Sequence, residues 1–404
     1  MYGFLKNLRF FDAFFILFLV EKGLPYTQIG ILYAVREVVI NVLEVPSGFV
    51  ADTYGRKNAL LGSFLAYIFS FIIFYLSESF GLFMAAFVFY GVGDAFRSGT
   101  HKAMIMDYLK INEWADQKID YYGHTRSWSQ MGSAVSSLIA GILVFYTGNY
   151  TNVFLYSVVP YLLNFGLILS YPRQLNYSSD HQNTSTRLNL GATWKVFFLV
   201  MKYKNVIRII NTTALHSAYL KAVKDYIQVL MVAVVALIPI LAQADAEKKN
   251  GIFIGIFYFI IYILTSRASA VSSRFSANNK RSIAFLTLLL GFGLGAVSGA
   301  FYLRDVWIPA LIAFVGIYIV ENVRKPILTG YIADEVPNHI LASVISAQSL
   351  LKTIMTALIS VGFGLLADHF SIGLSLIVIS LLLIFISVLV KIVFRNTWET
   401  DHLL

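Results

Sequence analysis

Long apolar runs, rather than stripes, set the pattern of this chain. Hydrophobic residues recur without a 3.6-residue alternation, so each predicted helix is apolar nearly all round and belongs in lipid or in a deep core. A membrane span needs about 20 such residues. On that basis the sequence predicts helices at 4–22, 27–51, 59–77, 81–109, 121–146 and 151–171. Six more follow at 205–230, 251–274, 282–302, 306–335, 341–367 and 371–394. These are spans 1 to 12 in chain order. Span 7 is the least defined, because residues 232–241 are also apolar and would either lengthen it or form an extra segment. Residues 172–204, rich in Ser, Asn and Thr, form the one long polar connection. They divide the chain into an N-terminal six-helix bundle, 1–171, and a C-terminal one, 205–404. The expectation is an all-α membrane protein with about twelve transmembrane helices in two pseudo-symmetric bundles.

Composition agrees. Of 404 residues only 13% are charged and 58% are hydrophobic, whereas a soluble domain carries about 25% charged residues. Cysteine is absent, which excludes a disulfide framework or a thiolate metal site. Residues 10–20 run straight into apolar sequence without a small-residue cleavage site, so no cleavable signal peptide is expected. The net charge of +9 would suit nucleic acid, but its placement points to lipid. With both termini cytoplasmic, roughly sixteen Lys and Arg residues fall in inside segments against four outside, a positive-inside bias. An even number of spans is then required, and a multi-pass protein of the cell inner membrane is expected. No cofactor, metal or nucleic-acid partner is implied, and the histidines are scattered singly.

The halves echo each other. Asp94, Arg97 and Asp107 of span 4 are matched at an offset of 227 by Glu321, Arg324 and Asp334 of span 10. Ile29-Gly30-Ile31-Leu32-Tyr33 of span 2 is echoed at an offset of 225 by Ile254-Gly255-Ile256-Phe257-Tyr258 of span 8. Internal repeats with a site between them are the architecture of secondary transporters.

Between spans 2 and 3 stands Gly48-Phe49-Val50-Ala51-Asp52-Thr53-Tyr54-Gly55-Arg56-Lys57. This pattern matches every defining position of the cytoplasmic loop signature of the major facilitator superfamily, and the chain resembles that superfamily over essentially its whole length. The preceding Glu44-Val45-Pro46-Ser47-Gly48 resembles bacterial members grouped with drug and metabolite exporters. The resemblance implies a conformational latch made by Gly48, Asp52, Gly55, Arg56, Lys57 and Asp107. Asp52 is placed to face a helix amino terminus in the other half, a favourable position for an anion. Arg56 is placed to pair with Asp107, and the two glycines to permit close approach and a tight turn. The equivalent junction in the second half, Ser272, Ser273, Asn278, Lys280 and Arg281, lacks the acid.

Charges at membrane depth cost about 2.5–3.5 kcal/mol each and usually face a cavity or a partner. Span 4 places Asp94, Arg97 and His101 on one face, and span 10 places Glu321 and Arg324, with Leu328 where His101 would match. Each arginine is expected to be neutralised by the acid of its own helix, with the span 4 site the more titratable. Span 1 adds Asp12, span 7 adds His216, Lys221, Lys224 and Asp225, and span 11 adds Lys352. Span 2 carries Tyr33, Glu37, Asn41 and Glu44 at helical spacing. The candidates for proton coupling are Glu37, Asp12, Asp94 and Glu321, since burial raises a carboxyl pKa toward the working range. Tyr33, Asn41, Arg97, His101, His216, Arg324 and Lys352 are candidates for lining a cavity. For the acids, the competing reading is a structural ion pair.

In span 5, Gly132, Ser136, Ser137, Ala140 and Gly141 occupy the frame of an antiporter motif of the superfamily without its proline. Close helix packing explains the same small residues. The resemblance implies a secondary active transporter working by alternating access, most simply a monomer in the bilayer exporting a small organic compound or drug against protons. The alternatives are a proton-coupled importer of a polar or zwitterionic metabolite, or a non-transporting sensor of the same fold. No nucleotide loop or nucleophile motif suggests an enzyme.

Overall fold

The computed structural model describes residues 1–114, 118–176, 204–241, 243–271, 280–336 and 338–393. Among them the chain is helical, without strands. The observed spans are Tyr26–Tyr54 (span 2), Arg56–Leu76 (3), Phe80–Ile111 (4), Lys118–Thr147 (5) and Asn152–Leu169 (6). In the second half they are Ala246–Val271 (8), Lys280–Tyr302 (9), Trp307–Glu335 (10), Asn338–His369 (11) and Ile372–Val393 (12). Nine helices among the described residues are long and apolar enough to cross a membrane. The three outside that group are spans 1, 2 and 7, and each has a local reason.

Span 1 is not the continuous helix expected over 4–22. It consists of Tyr2–Leu5, a 3-10 turn Phe10–Ala13, and Phe15–Glu21. Arg9 and Asp12, paired at 3.1 Å, sit at the break. A broken helix in lipid needs other partners for its freed backbone groups, and span 6 supplies them. Ser157 Oγ accepts from the Phe10 amide at 3.1 Å, Tyr161 Oη donates to the Lys6 carbonyl at 3.0 Å, and Asn164 Nδ2 donates to the Tyr2 carbonyl at 3.4 Å. Residues 157, 161 and 164 stand at helical spacing, so one face of span 6 caps the break.

Span 7 is also interrupted. Lys204–Val223 gives way to a 3-10 turn, Lys224–Tyr226, and resumes as Ile227–Ala236. The apolar stretch beyond residue 230 therefore lengthens this span rather than forming another. Tyr318 Oη of span 10 donates to the freed Lys224 carbonyl at 2.7 Å, and Tyr33 Oη donates to Asp225 Oδ2 at 3.0 Å. Span 2 is one helix, but Arg36, Glu37, Glu44 and Asp52 lower its apolarity.

The chain forms two compact units. Unit 1 comprises Met1–Leu24, Val35–Leu188 and Ile238–Tyr262; unit 2 comprises Pro25–Ala34, Asn189–Leu237 and Ile263–Leu404. Each unit thus takes in a half-helix from the other half of the sequence, and the echoed glycines explain how. In unit 1, a Cβ on Gly255 would lie 2.7 Å from the Ser137 carbonyl, and one on Gly141 2.6 Å from the Gly251 carbonyl. In unit 2, a Cβ on Gly30 would collide with the Ser360 carbonyl. Only glycine allows such backbone approach. The small residues of span 5 therefore serve close packing. The core of unit 1 is aromatic: Phe154 of span 6 lies 5.0 Å from Phe11 and 4.9 Å from Phe74, ring centre to ring centre. Unit 2 builds an aliphatic cluster at its basic end, including Ile209, Ile210, Leu328 and Val344.

Candidate functional site

The turn between spans 2 and 3 is tied together within unit 1. Arg56 hydrogen-bonds Asp107 at the end of span 4, and its Nε lies 3.5 Å from Asp52 Oδ1. Gly55 has φ +99°, a conformation that strains any residue with a Cβ. Lys57 Nζ donates to the Leu169 carbonyl at 2.7 Å and the Tyr171 carbonyl at 2.8 Å. Asn176, in the polar connection after span 6, accepts from the Lys57 amide at 3.0 Å. Gly48 lies on an exposed face of span 2, where a Cβ would meet nothing within 4 Å. The sequence-equivalent junction at 272–279 lies outside the described residues.

Deeper in unit 1, Arg97 Nη2 donates to Asp94 Oδ1 at 2.8 Å, as the i, i+3 spacing predicts. Arg97 Nε also donates to Tyr67 Oη at 2.9 Å, and Tyr67 in turn hydrogen-bonds Asp94. Arg9, Asp12 and Tyr90 continue this polar cluster. His101 does not join it; its ring stacks on Tyr2 at 3.7 Å, tilted by 12°. That stacked pair borders a cavity of about 390 Å³, ringed by Tyr108, Tyr121, Trp128 and Tyr171. Glu37, 1% exposed, is paired with its neighbour Arg36 at 3.3 Å.

In unit 2 the expected pairing is overturned. Glu321 turns away from Arg324 and accepts from Ser217 Oγ at 2.5 Å, with His216 Nδ1 at 2.7 Å from its other oxygen. Both Glu321, 3% exposed, and His216, 0% exposed, are enclosed. The edge of the imidazole carrying Nε2 lies against Gly291 of span 9, where a Cβ would collide with it, and Nε2 has no hydrogen-bond partner. Arg324, also fully buried, donates instead to neutral oxygens: the Ala284 carbonyl at 2.5 Å, Thr287 Oγ1 at 2.6 Å and the Thr212 carbonyl at 2.6 Å. The titratable partner expected beside Arg97 thus stands beside Glu321, contributed by span 7.

Tyr33 meets Asp225, whereas Asn41 and Lys352 are only half-buried and join neither cluster among the described residues. Ser217, Gly291 and Tyr67 were missed. A hydroxyl beside a buried histidine and a glycine in an apolar helix carry little signal until the neighbouring helix is known. Among the described residues no group of three His, Asp or Glu side chains is gathered for a metal.

Long apolar helices, two of them broken by polar groups, with enclosed charge clusters define a polytopic membrane carrier. The chain belongs to the Major Facilitator Superfamily, whose family model matches residues 7–360. It is 22% identical to the uncharacterized MFS-type transporter YxaM of Bacillus subtilis (strain 168), over 95% of this chain and 91% of that one. Among solved structures it is similar to the nucleoside transporter NupG, with a TM-score of 0.72 at 14% identity, covering 98% of this chain and 96% of that one. It is also similar to a D-xylose-proton symporter, with a TM-score of 0.65 at 13% identity and 95% of each chain covered. Those structural likenesses establish the fold. The chain is a multi-pass membrane transporter of that superfamily and not an enzyme.

Proposed function

We propose that this transporter couples the movement of a small organic solute to protons through Glu321 and His216, by alternating access. The carrying observation is the 2.7 Å contact between His216 Nδ1 and Glu321 Oε2 in an enclosed site. Nδ1–H donating to the carboxylate leaves Nε2 as the bare nitrogen. A proton arriving there would create a buried donor with no acceptor, which costs about 1–3 kcal/mol. Protonation therefore favours any arrangement in which spans 7, 9 and 10 open the imidazole to water or to solute. Glu37 and Asp94 are weaker candidates, because each already has an arginine partner at 3.3 or 2.8 Å.

The 390 Å³ cavity beside His101 supports an organic solute, since small-molecule pockets run from about 300 Å³ upward and are lined by apolar and aromatic groups. The Glu44-Val45-Pro46-Ser47-Gly48 segment supports export. Uptake is the second reading, favoured by the neighbouring folds, one a nucleoside transporter and one a sugar-proton symporter. Both termini would be cytoplasmic, in the cell inner membrane, with Asp52 and Arg56 as part of a latch closing that side.

The test uses proteoliposomes with an imposed pH gradient and three probes: radiolabelled uridine, D-xylose and ethidium. Wild type is expected to accumulate at least one probe only while the gradient lasts. Glu321→Gln should abolish that accumulation but leave exchange across equal pH measurable. Undiminished pH-driven accumulation by Glu321→Gln would remove the proton role, and its sign in wild type decides between export and uptake.

A further inference from the structure

We propose that unit 2 carries a binding site for a phosphate-type oxyanion, separate from the Glu321 site, at the basic end of its helices. Spans 7 and 9 begin there, at Lys204 and Lys280, and span 12 ends there. Between them lies a cavity of about 180 Å³, lined by Arg208, Asn211, Ser282, Tyr331, Ser387 and Lys391. Among the described residues no carboxylate lines it.

Four features ask for an anion. Arg208 is only 6% exposed, and no carboxylate among the described residues pairs with it. A guanidinium cannot shed its proton, and a buried charge without a counter-charge is strongly unfavourable. Ser387 is 1% exposed, and its Oγ has no hydrogen-bond partner, leaving a buried donor beside the cavity. Arg324 adds a second guanidinium just below: its Nη2 holds the carbonyl of Thr212, one turn on from Arg208, and its other bonds also go to neutral oxygens. At the mouth, the Lys391 ammonium is held 4.0 Å from the centre of the Phe285 ring, a cation–π contact that keeps it in place.

Size narrows the ligand. A volume of 180 Å³ is below the roughly 300 Å³ at which pockets begin to enclose drug-sized molecules, and it suits a phosphate group with a short attached stem. Basic pockets between transmembrane helices are suited to phospholipid headgroups. The same chemistry would accept a free phosphate ester, so the source is decided by experiment. Nothing in this site uses His216 or Glu321, and failure of proton coupling would leave it standing.

The full chain in phosphatidylcholine nanodiscs would be titrated with inorganic phosphate and sn-glycerol 3-phosphate, and separately prepared with phosphatidylglycerol. Thermal midpoint and lipid retained in native mass spectrometry are read. At least one phosphate-bearing probe should stabilise wild type, with affinity reduced about tenfold or more in Arg208→Gln and restored in Arg208→Lys. Ser387→Ala and Lys391→Gln should each weaken it less. Stabilisation by phosphatidylglycerol alone assigns a lipid headgroup; stabilisation by the soluble probes assigns a free phosphate ester. If Arg208→Gln does not fold, Lys391→Gln at the rim and Ser387→Ala carry the comparison. The proposal is overturned if no probe stabilises wild type, or if the folded variants respond as wild type does.

Discussion

Spans 4 and 10 place an acid three residues before an arginine, and the two units use that spacing in opposite ways. In unit 1 the pair closes on itself: Arg97 holds Asp94 at 2.8 Å, with Tyr67 bridging both. In unit 2 the pair is split, and Glu321 takes His216 and Ser217 while Arg324 takes carbonyls. The unit 1 pair is closed by its own arginine and a bridging tyrosine, an arrangement that serves as structure. The unit 2 pair sets a carboxylate against an imidazole, and this is the pair that the proposed proton coupling uses. Identical spacing does not imply identical chemistry, because the helix packed alongside decides the partner.

The largest expected effect breaks that comparison directly. Glu321→Gln should flatten the pH dependence of probe transport while lowering the thermal midpoint less, since no hydrogen bond of Arg324 is lost. Asp94→Asn should do the reverse. It leaves Arg97 without its counter-charge, and removing one partner of a buried pair costs about 3–5 kcal/mol. With side chains 22% and 21% exposed, about 2 kcal/mol is the expectation here, read as a lower midpoint by scanning fluorimetry. If both variants change pH dependence alike, the division between structure and switch is wrong.

Gly291→Ala sharpens the comparison from the other side. A methyl group there collides with the His216 ring, and overpacking costs about 1–3 kcal/mol. The imidazole would be pushed off its 2.7 Å contact with Glu321. The pH profile should move toward that of Glu321→Gln with the carboxylate still present. An unchanged profile would show that the carboxylate titrates without its histidine.

How much of this was legible in the sequence follows from what each feature depends on. The spans are written in apolar runs, and the clusters in charges that lipid excludes, so Asp94, Arg97, His216, Glu321 and Arg324 all stand out. The Arg97–Asp94 bond follows from helical spacing alone. The His216–Glu321 bond does not, since it depends on how spans 7 and 10 are turned about their axes, and local spacing says nothing of that. The break in span 1 is hidden by Phe10, Phe11, Phe14 and Phe15, which keep the run apolar across it. The available clue was remote: Ser157, Tyr161 and Asn164 form a polar line down a helix that otherwise has no use for one.

The smallest effect concerns the latch turn. Asn176 joins two backbone amides at the start of span 3, those of Lys57 at 3.0 Å and Asn58 at 3.4 Å. Its side chain also fills the space beside Gly55, where a Cβ would strike it. Asn176→Ala removes the cap, while Arg56 keeps Asp107 and Lys57 keeps two carbonyls. A helix cap of this kind is worth about 1 kcal/mol. The thermal midpoint should therefore fall slightly, with transport of the probes close to wild type. Asp52→Asn makes the matching test, because its carboxyl is 64% exposed and its pair with Arg56 contributes little to stability. Spin-label distances across the proposed cytoplasmic gate should shift in Asp52→Asn and stay fixed in Asn176→Ala. If they shift equally, the turn acts as a single rigid element, and its acid has no separate part in closing the gate.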